Sequence, residues 1–269
     1  MAAFSSCSGY PCRLSTLEDG NVISTKIISS VVQSPFFAGN HTMQQRLNHL
    51  FLVINILIGL SLLIFMTNAD LRIARMAVGA NNQWPGLAHQ PWLFFYKTAP
   101  IPGILLAIGA LVVLCAGFFH FCLKKYRRQS LFLLLLLALG PGLLVNVILK
   151  DHLGRPRPQE LTEFGGRQQF VQFWQTGPDV KNSSFPSGHA SIAFFLMAPW
   201  FIFRRRRQLL GLSFLWAGGG FGLLVGIARI MQGGHFLSDV LWAGGLVYLT
   251  GELLSWLLLT DDFDKKTSR

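Results

Sequence analysis

Three short polar clusters interrupt a chain that is otherwise apolar: Lys150-Asp-His-Leu-Gly-Arg-Pro-Arg-Pro158, Pro186-Ser-Gly-His189 and Arg229-Ile-Met-Gln-Gly-Gly-His-Phe-Leu-Ser-Asp239. Their residue types suit the binding and cleavage of a phosphate ester. Lys150, Arg157 and Arg229 offer three cations, and the planar fork of arginine matches phosphoryl oxygens two at a time. Pro186 presets entry into a helix whose exposed N–H groups and dipole favour an anion; Ser187 adds a hydroxyl, and Gly188 lets a phosphate approach the backbone. His235 and Asp239 stand four apart, one helical turn. The carboxylate can therefore accept from one imidazole nitrogen and leave the other nucleophilic. His189, on a different helix, is placed to protonate a departing oxygen.

The elements that must position these residues are membrane helices. Of 269 residues 51% are hydrophobic and 13% charged, which excludes an ordinary soluble domain. Uncharged apolar runs long enough for a bilayer core of about 30 Å occupy 50–69, 101–123, 130–149, 209–228 and 240–259, with a shorter one at 187–203. The fold class expected is all-α: a polytopic bundle of about six transmembrane helices with its site at the outer membrane face.

The net charge of +11 does not form the stripe that nucleic acid needs, and no nucleic-acid partner is expected. It follows the positive-inside rule instead. Lys124-Lys-Tyr-Arg-Arg128 and Arg204-Arg-Arg-Arg207 fall between spans and belong in the cytoplasm. Both termini are then cytoplasmic, and the segments 70–100, 150–188 and 229–238, with all three clusters, face outward. Residues 1–42 read as a polar cytoplasmic tail, disordered or preceding a true start at Met43. Residues 43–260 form the membrane domain, and 261–269 a second cytoplasmic tail. Cys115 and Cys122 lie in a span and Cys7 and Cys12 in the tail, so free thiols are expected. No nearby His or Cys completes a metal ligand set.

Taken singly, each cluster has an ordinary structural explanation as a helix cap, a helical His–Asp pair or snorkelling cations. Together and in order they resemble the type-2 phosphatidic acid phosphatase superfamily, which also includes vanadium haloperoxidases and glucose-6-phosphatase. Its Lys, six residues, Arg-Pro motif is met by Lys150 and Arg157-Pro158, and its Pro-Ser-Gly-His motif by residues 186–189. Its Ser-Arg, five residues, His, three residues, Asp motif is met by Arg229, His235 and Asp239, with Ala228 in place of the usual Ser.

The resemblance implies that His235 attacks phosphorus to give a phosphohistidine, that Asp239 orients it and that His189 protonates the leaving group. It implies that Lys150, Arg157, Ser187, Gly188 and Arg229 hold the phosphoryl oxygens, with no metal and no cofactor. The string through Gln159, with Glu163-Phe-Gly-Gly166 after it, is similar to bacterial enzymes near the lipid A 1-phosphatases. The expected partners are a lipid phosphate in the bilayer of a bacterial inner membrane and no identified protein. Lipid A is the first candidate substrate, with undecaprenyl pyrophosphate and phosphatidylglycerol phosphate as others. Phosphotransfer to a lipid acceptor and a non-catalytic transporter or scaffold are the competing functions.

Four further expectations concern residues outside the motifs. Arg155 steers anionic headgroups, and His152 is structural. Glu252 pairs with a polar neighbour, with His120 as the candidate. The aromatics of 70–100 (Trp84, Trp92, Phe94, Phe95, Tyr96) anchor helices or form a lip beside the site. Phe164, Phe170, Phe173 and Trp174, with Arg167 and Lys181, cover a headgroup or anchor a surface loop.

Overall fold

With no water in the hydrocarbon interior, a spanning backbone bonds to itself, and each expected span is helical. The structure, a computed structural model, describes residues 43–177 and 183–259, with the backbone alone at Asn81. The calls on the tails 1–42 and 261–269 and on Lys181 lie outside the described residues.

Helix α1 (Met43–Met66) is followed, through a left-handed turn at Asn68, by the short amphipathic α2 (Ala69–Ala77). Helix α3 (Trp92–Thr98) leads into α4 (Pro100–Phe119). Helix α5 (Arg127–Leu137) continues as a π-helical stretch, Ala138–Leu149, and ends in α6 (Lys150–Leu153). Then come α7 (Gly188–Phe194), α8 (Ala198–Phe203), α9 (Gln208–Met231) and α10 (Leu237–Leu258). Five of these runs are long and apolar enough to cross a membrane. The sixth, Gly188–Phe203, is shorter, as its sequence implied. At 1.5 Å per residue it reaches about 24 Å, so it lies inside the bundle with its first turn at the site rather than in lipid.

The π-helical stretch was not expected. Pro141 sits inside it, has no N–H to give and would collide with a carbonyl one turn back in a regular α-helix; a wider turn relieves both problems. The Asn146 amide donates to the Pro141 carbonyl at 2.6 Å, which satisfies an acceptor displaced from the regular ladder. Small residues let α9 come close to its neighbours. A Cβ at Gly218 would overlap the Met197 backbone, and one at Gly222 would overlap the Phe194 ring.

At the end of the bundle opposite the motifs, Arg204 clasps Glu252 through both guanidinium arms, at 2.6 and 3.0 Å, and also donates to Ser255 at 2.9 Å. Trp256 Nε1 donates to the same carboxylate at 2.8 Å. The partner of Glu252 is therefore Arg204 and not His120. Three-quarters of the way along α10, Glu252 has reached the level at which α8 ends in its arginine run. Removing one member of a buried pair strands the other at a cost of about 3–5 kcal/mol. Glu252→Ala is therefore expected to lower the thermal midpoint in detergent clearly, while the surviving folded protein turns over normally. An unchanged midpoint would contradict a structural role for the pair.

Candidate active site

Backbone bonds draw the three clusters together. Gly154, at φ 61°, ends α6 in the left-handed conformation that glycine adopts without strain and turns the chain back over the bundle. Gln159 N–H then donates to the Gly233 carbonyl at 3.1 Å, joining the first cluster to the third. Ser187 N–H donates to the Asp239 carbonyl at 3.2 Å, joining the second to the third. Ser187 is wholly buried and caps α7, its Oγ accepting from Ala190 N–H at 3.5 Å. Gly188 faces the Asn146 amide, which a Cβ would overlap. The glycine thus leaves room for the Asn146 amide of the π-helical stretch as well as for any anion at the helix start.

His235 is 3% exposed, and its Nδ1 lies 2.6 Å from the Ser184 carbonyl. Asp239 Oδ2 lies 3.6 Å from the same nitrogen, beyond hydrogen-bonding distance. The proton on Nδ1 thus goes to a backbone carbonyl, and Nε2 keeps its lone pair. The expected His–Asp geometry is present as a charge near the ring, not as a hydrogen bond. Asp239 is engaged elsewhere: Oδ2 accepts from Phe236 N–H at 2.8 Å and Oδ1 accepts from Arg155 at 2.5 Å.

Burial pushes the His235 imidazolium pKa below its ordinary value of 6.5, with Asp239 opposing incompletely and Arg229 adding to the depression. The role expected of this imidazole needs it neutral, and a lowered pKa keeps it neutral further into acid. The acid limb of kcat/KM is expected to have its midpoint below pH 6.5. A limb at or above 7 would contradict this reading of the imidazole.

The cations converge as the spacing implied. Lys150 interacts electrostatically with Arg157 and Arg229, and His189 lies within the field of Arg229, His235, Lys150 and Arg157. Arg157 and Arg229 each hold a buried Nε with no hydrogen-bond partner, so two donors stand ready for an acceptor. A pocket of about 210 Å³ opens beside them, lined by Leu87, Leu93, Tyr96, Arg157, Gln159 and Arg229 among others. It suits a phosphoryl group and the first atoms of its ester, not the body of a lipid. A Cβ at Gly234 would strike the Arg229 guanidinium, so this glycine makes room for the cation, while Gly233 turns the chain at φ 64°. Among the described residues, no group of three or more His, Cys, Asp or Glu side chains is arranged to hold a metal ion.

Several contributors escaped the sequence reading. The Tyr96 ring stands 4.9 Å from that of His189, with the Arg229 guanidinium 4.8 Å from its centre. Gln232 accepts from Arg229 at 2.5 Å and donates to the Gly86 carbonyl at 3.1 Å, locking the cation to the 70–100 segment. That segment divides its aromatics. Trp84 is core, against Phe164 and over Gly233; Tyr96 lines the pocket; Phe94 is exposed. In the following loop Phe170 packs on Phe236 and Phe173 stacks on Phe185, while Trp174 and Arg167 are exposed.

Arg155 corrects an expectation. It is fully buried, with its guanidinium on Asp70, Asp239, Ser238 and the Val171 carbonyl, so it cannot steer a headgroup from solution. The turn at Gly154 folds it inward. His152 is exposed, its Nδ1 on the Ile148 carbonyl one turn back at 2.6 Å, a local bond outside the site.

The model of the PAP2 superfamily matches residues 129–262, which span all three clusters. A lipid A 4'-phosphatase of Francisella tularensis subsp. novicida is 35% identical over 196 residues, 72% of this chain and 82% of its own. Phosphatidylglycerophosphatase B of Bacillus subtilis is 30% identical over 214 residues, 75% of this chain and 86% of its own. The crystal structure of a transmembrane PAP2-type phosphatidylglycerolphosphate phosphatase from Bacillus subtilis aligns with 81% of this chain and 96% of its own, at 26% identity and a TM-score of 0.48.

Proposed function

The chain belongs to the PAP2 superfamily and is a membrane lipid phosphatase, and from that premise we propose that it removes a phosphate from the saccharide headgroup of lipid A through a phosphohistidine at His235. The 4'-phosphate is the first candidate, because of the two relatives matched over most of both chains the more similar, at 35% identity, is named for that position; the 1-phosphate suggested by the Lys150–Gln159 string follows. Phosphatidylglycerol phosphate is a further candidate on the name of the Bacillus relative, and undecaprenyl pyrophosphate rests on the sequence resemblance alone.

In this reading Lys150, Arg157 and Arg229 hold the phosphoryl oxygens with the Gly188 end of α7, and Ser187 fixes that helix start. His235 Nε2 attacks phosphorus in line with the departing ester oxygen, which takes a proton from His189. Water then attacks the phosphohistidine, giving up a proton to His189 as phosphate leaves. The three cations and backbone dipoles supply the charge stabilisation that a metal gives in other phosphoryl-transfer sites, so the reaction proceeds without one. The basic runs at 124–128 and 204–207 support a cytoplasmic position for the opposite end of the bundle and, with it, a periplasmic site.

The observation that carries this reading is the pair of buried, unpartnered arginine Nε donors beside a small pocket at the end of an apolar bundle, with two histidines in their field. The test is phosphate release by the purified protein, with chelator present, from lipid A bearing only the 4'-phosphate, lipid A bearing only the 1-phosphate, phosphatidylglycerol phosphate and undecaprenyl pyrophosphate. Release from the 4'-species at the highest kcat/KM supports the assignment. Release from another lipid moves the substrate but keeps the chemistry. Loss of lipid phosphate without free phosphate would instead indicate transfer to an acceptor.

A further inference from the structure

Behind Asp239 lies a chain of charge that the phosphate chemistry does not use. Arg155, with no exposed surface, gives Nη1 to Asp239 Oδ1 at 2.5 Å and to Ser238 Oγ at 2.7 Å, and Nη2 to Asp70 Oδ2 at 2.9 Å. Asp70, at the start of α2, accepts from Ser238 N–H at 2.9 Å and from Ser238 Oγ at 2.6 Å. The guanidinium is fixed sideways by the Val171 carbonyl at 3.0 Å and lies 4.3 Å from the centre of the Phe236 ring. Two carboxylates, one guanidinium and one hydroxyl thus form a closed cluster that excludes water and borders the His235 ring through Asp239.

We propose that Arg155 and Asp70 are positioning residues for the reaction: their ion pair holds the Asp239 carboxylate away from His235 Nδ1, leaving that nitrogen to the Ser184 carbonyl, and sets how much negative charge the imidazole feels. The geometry is specific on this point. Asp239 Oδ1 accepts from Arg155 at 2.5 Å, Oδ2 accepts from Phe236 N–H at 2.8 Å while standing 3.6 Å from His235 Nδ1, and Ser184 O takes the Nδ1 proton at 2.6 Å. With Arg155 neutralised by mutation, Asp239 keeps a full uncompensated charge, and Oδ2, still tethered to Phe236 N–H, is no longer opposed by a guanidinium on Oδ1. Both changes favour imidazolium. With Asp70 neutralised instead, Arg155 leans wholly on Asp239 and its excess positive charge disfavours imidazolium. The two halves of one ion pair therefore act in opposite directions, whereas loss of fold support by either half would act in one. The other charged or titratable groups facing His235 are Arg229 from α9 and His189 from α7, and neither is altered by these substitutions.

The proposal rests on His235 being the reacting imidazole, so its test does not use turnover alone. Histidine-labelled protein in detergent is titrated by NMR, with the His235 signal identified by its loss in His235→Gln, in wild type, Arg155→Gln and Asp70→Asn. Arg155→Gln is expected to raise the His235 midpoint by about one pH unit, the lower range for a newly unbalanced charge nearby. Asp70→Asn, which is isosteric, is expected to lower it. The acid limb of kcat/KM should move with each midpoint. If Arg155→Gln does not fold, Arg155→Lys serves, since a single ammonium cannot hold both carboxylates and the hydroxyl, and a smaller upward movement is expected. Folded variants whose midpoints equal that of wild type, or move in the same direction, overturn the proposal. Opposite movements of the midpoint in a protein that releases no phosphate would uphold the charge cluster while rejecting the proposed function.

Discussion

His235→Ala is expected to lower kcat for phosphate release by on the order of 10⁴-fold or more, as loss of a nucleophile does when residual rate comes from binding alone. The protein should remain folded. The one hydrogen bond lost is from Nδ1 to the Ser184 carbonyl, and an unpaired buried carbonyl costs about 1–3 kcal/mol, which shifts a thermal midpoint without abolishing the bundle. The measurement is single-turnover phosphate release together with a melting curve. Turnover within tenfold of wild type would remove His235 from the nucleophile's role and leave the electrostatic cluster without a chemical purpose.

His189→Ala is expected to produce the second-largest loss, and one that depends on the leaving group. A positioned acid contributes about 10²–10⁴-fold when the departing oxygen is a poor leaving group. A sugar or glycerol hydroxyl is poor, whereas an aryl oxide leaves without help. The variant should therefore lose that full factor on a lipid phosphate and at least about tenfold less on an aryl phosphate, since Brønsted sensitivity to the acid falls as the leaving group improves. Tyr96 packs against the His189 ring and beneath the Arg229 guanidinium, so the substitution also loosens the ring that supports a proposed phosphate-binding cation. That contribution weakens binding of both substrates alike and appears in KM, which separates it from the acid. Equal losses of kcat for both substrates would assign His189 to binding.

The motif residues were legible because their chemistry is carried by type and short spacing. Lys150 to Arg157 spans one turn and loop, and His235 to Asp239 one helical turn, so a linear reading recovers them. Helical spans were legible for the same reason, since backbone satisfaction in lipid leaves few alternatives. The Asp70–Arg155 pair, 85 residues apart, carries no periodic signal, and an Arg inside a basic motif reads naturally as one that steers anionic headgroups. Its burial depends on Gly154 turning the chain inward, which is a fact of the backbone. Tyr96 was indistinguishable by composition from the interfacial aromatics around it. The Ser184 carbonyl, which takes the proton of His235, has no side-chain signature at all. The departure from regular helix around Pro141 was not read from the sequence, and the pairing of Arg204 with Glu252 required knowing that α8 ends beside the last third of α10.

The most direct test of the central claim is to quench the enzyme during turnover of a lipid substrate labelled in its phosphate and to map the label on the chain. A nitrogen-bound phosphate survives alkali and is lost in acid. The account predicts alkali-stable label on the peptide containing His235, absent from His235→Ala and lost on a chase with unlabelled lipid at the rate of turnover. Label on another residue, or rapid phosphate release with no labelled enzyme at any time from the first millisecond onward, would contradict it.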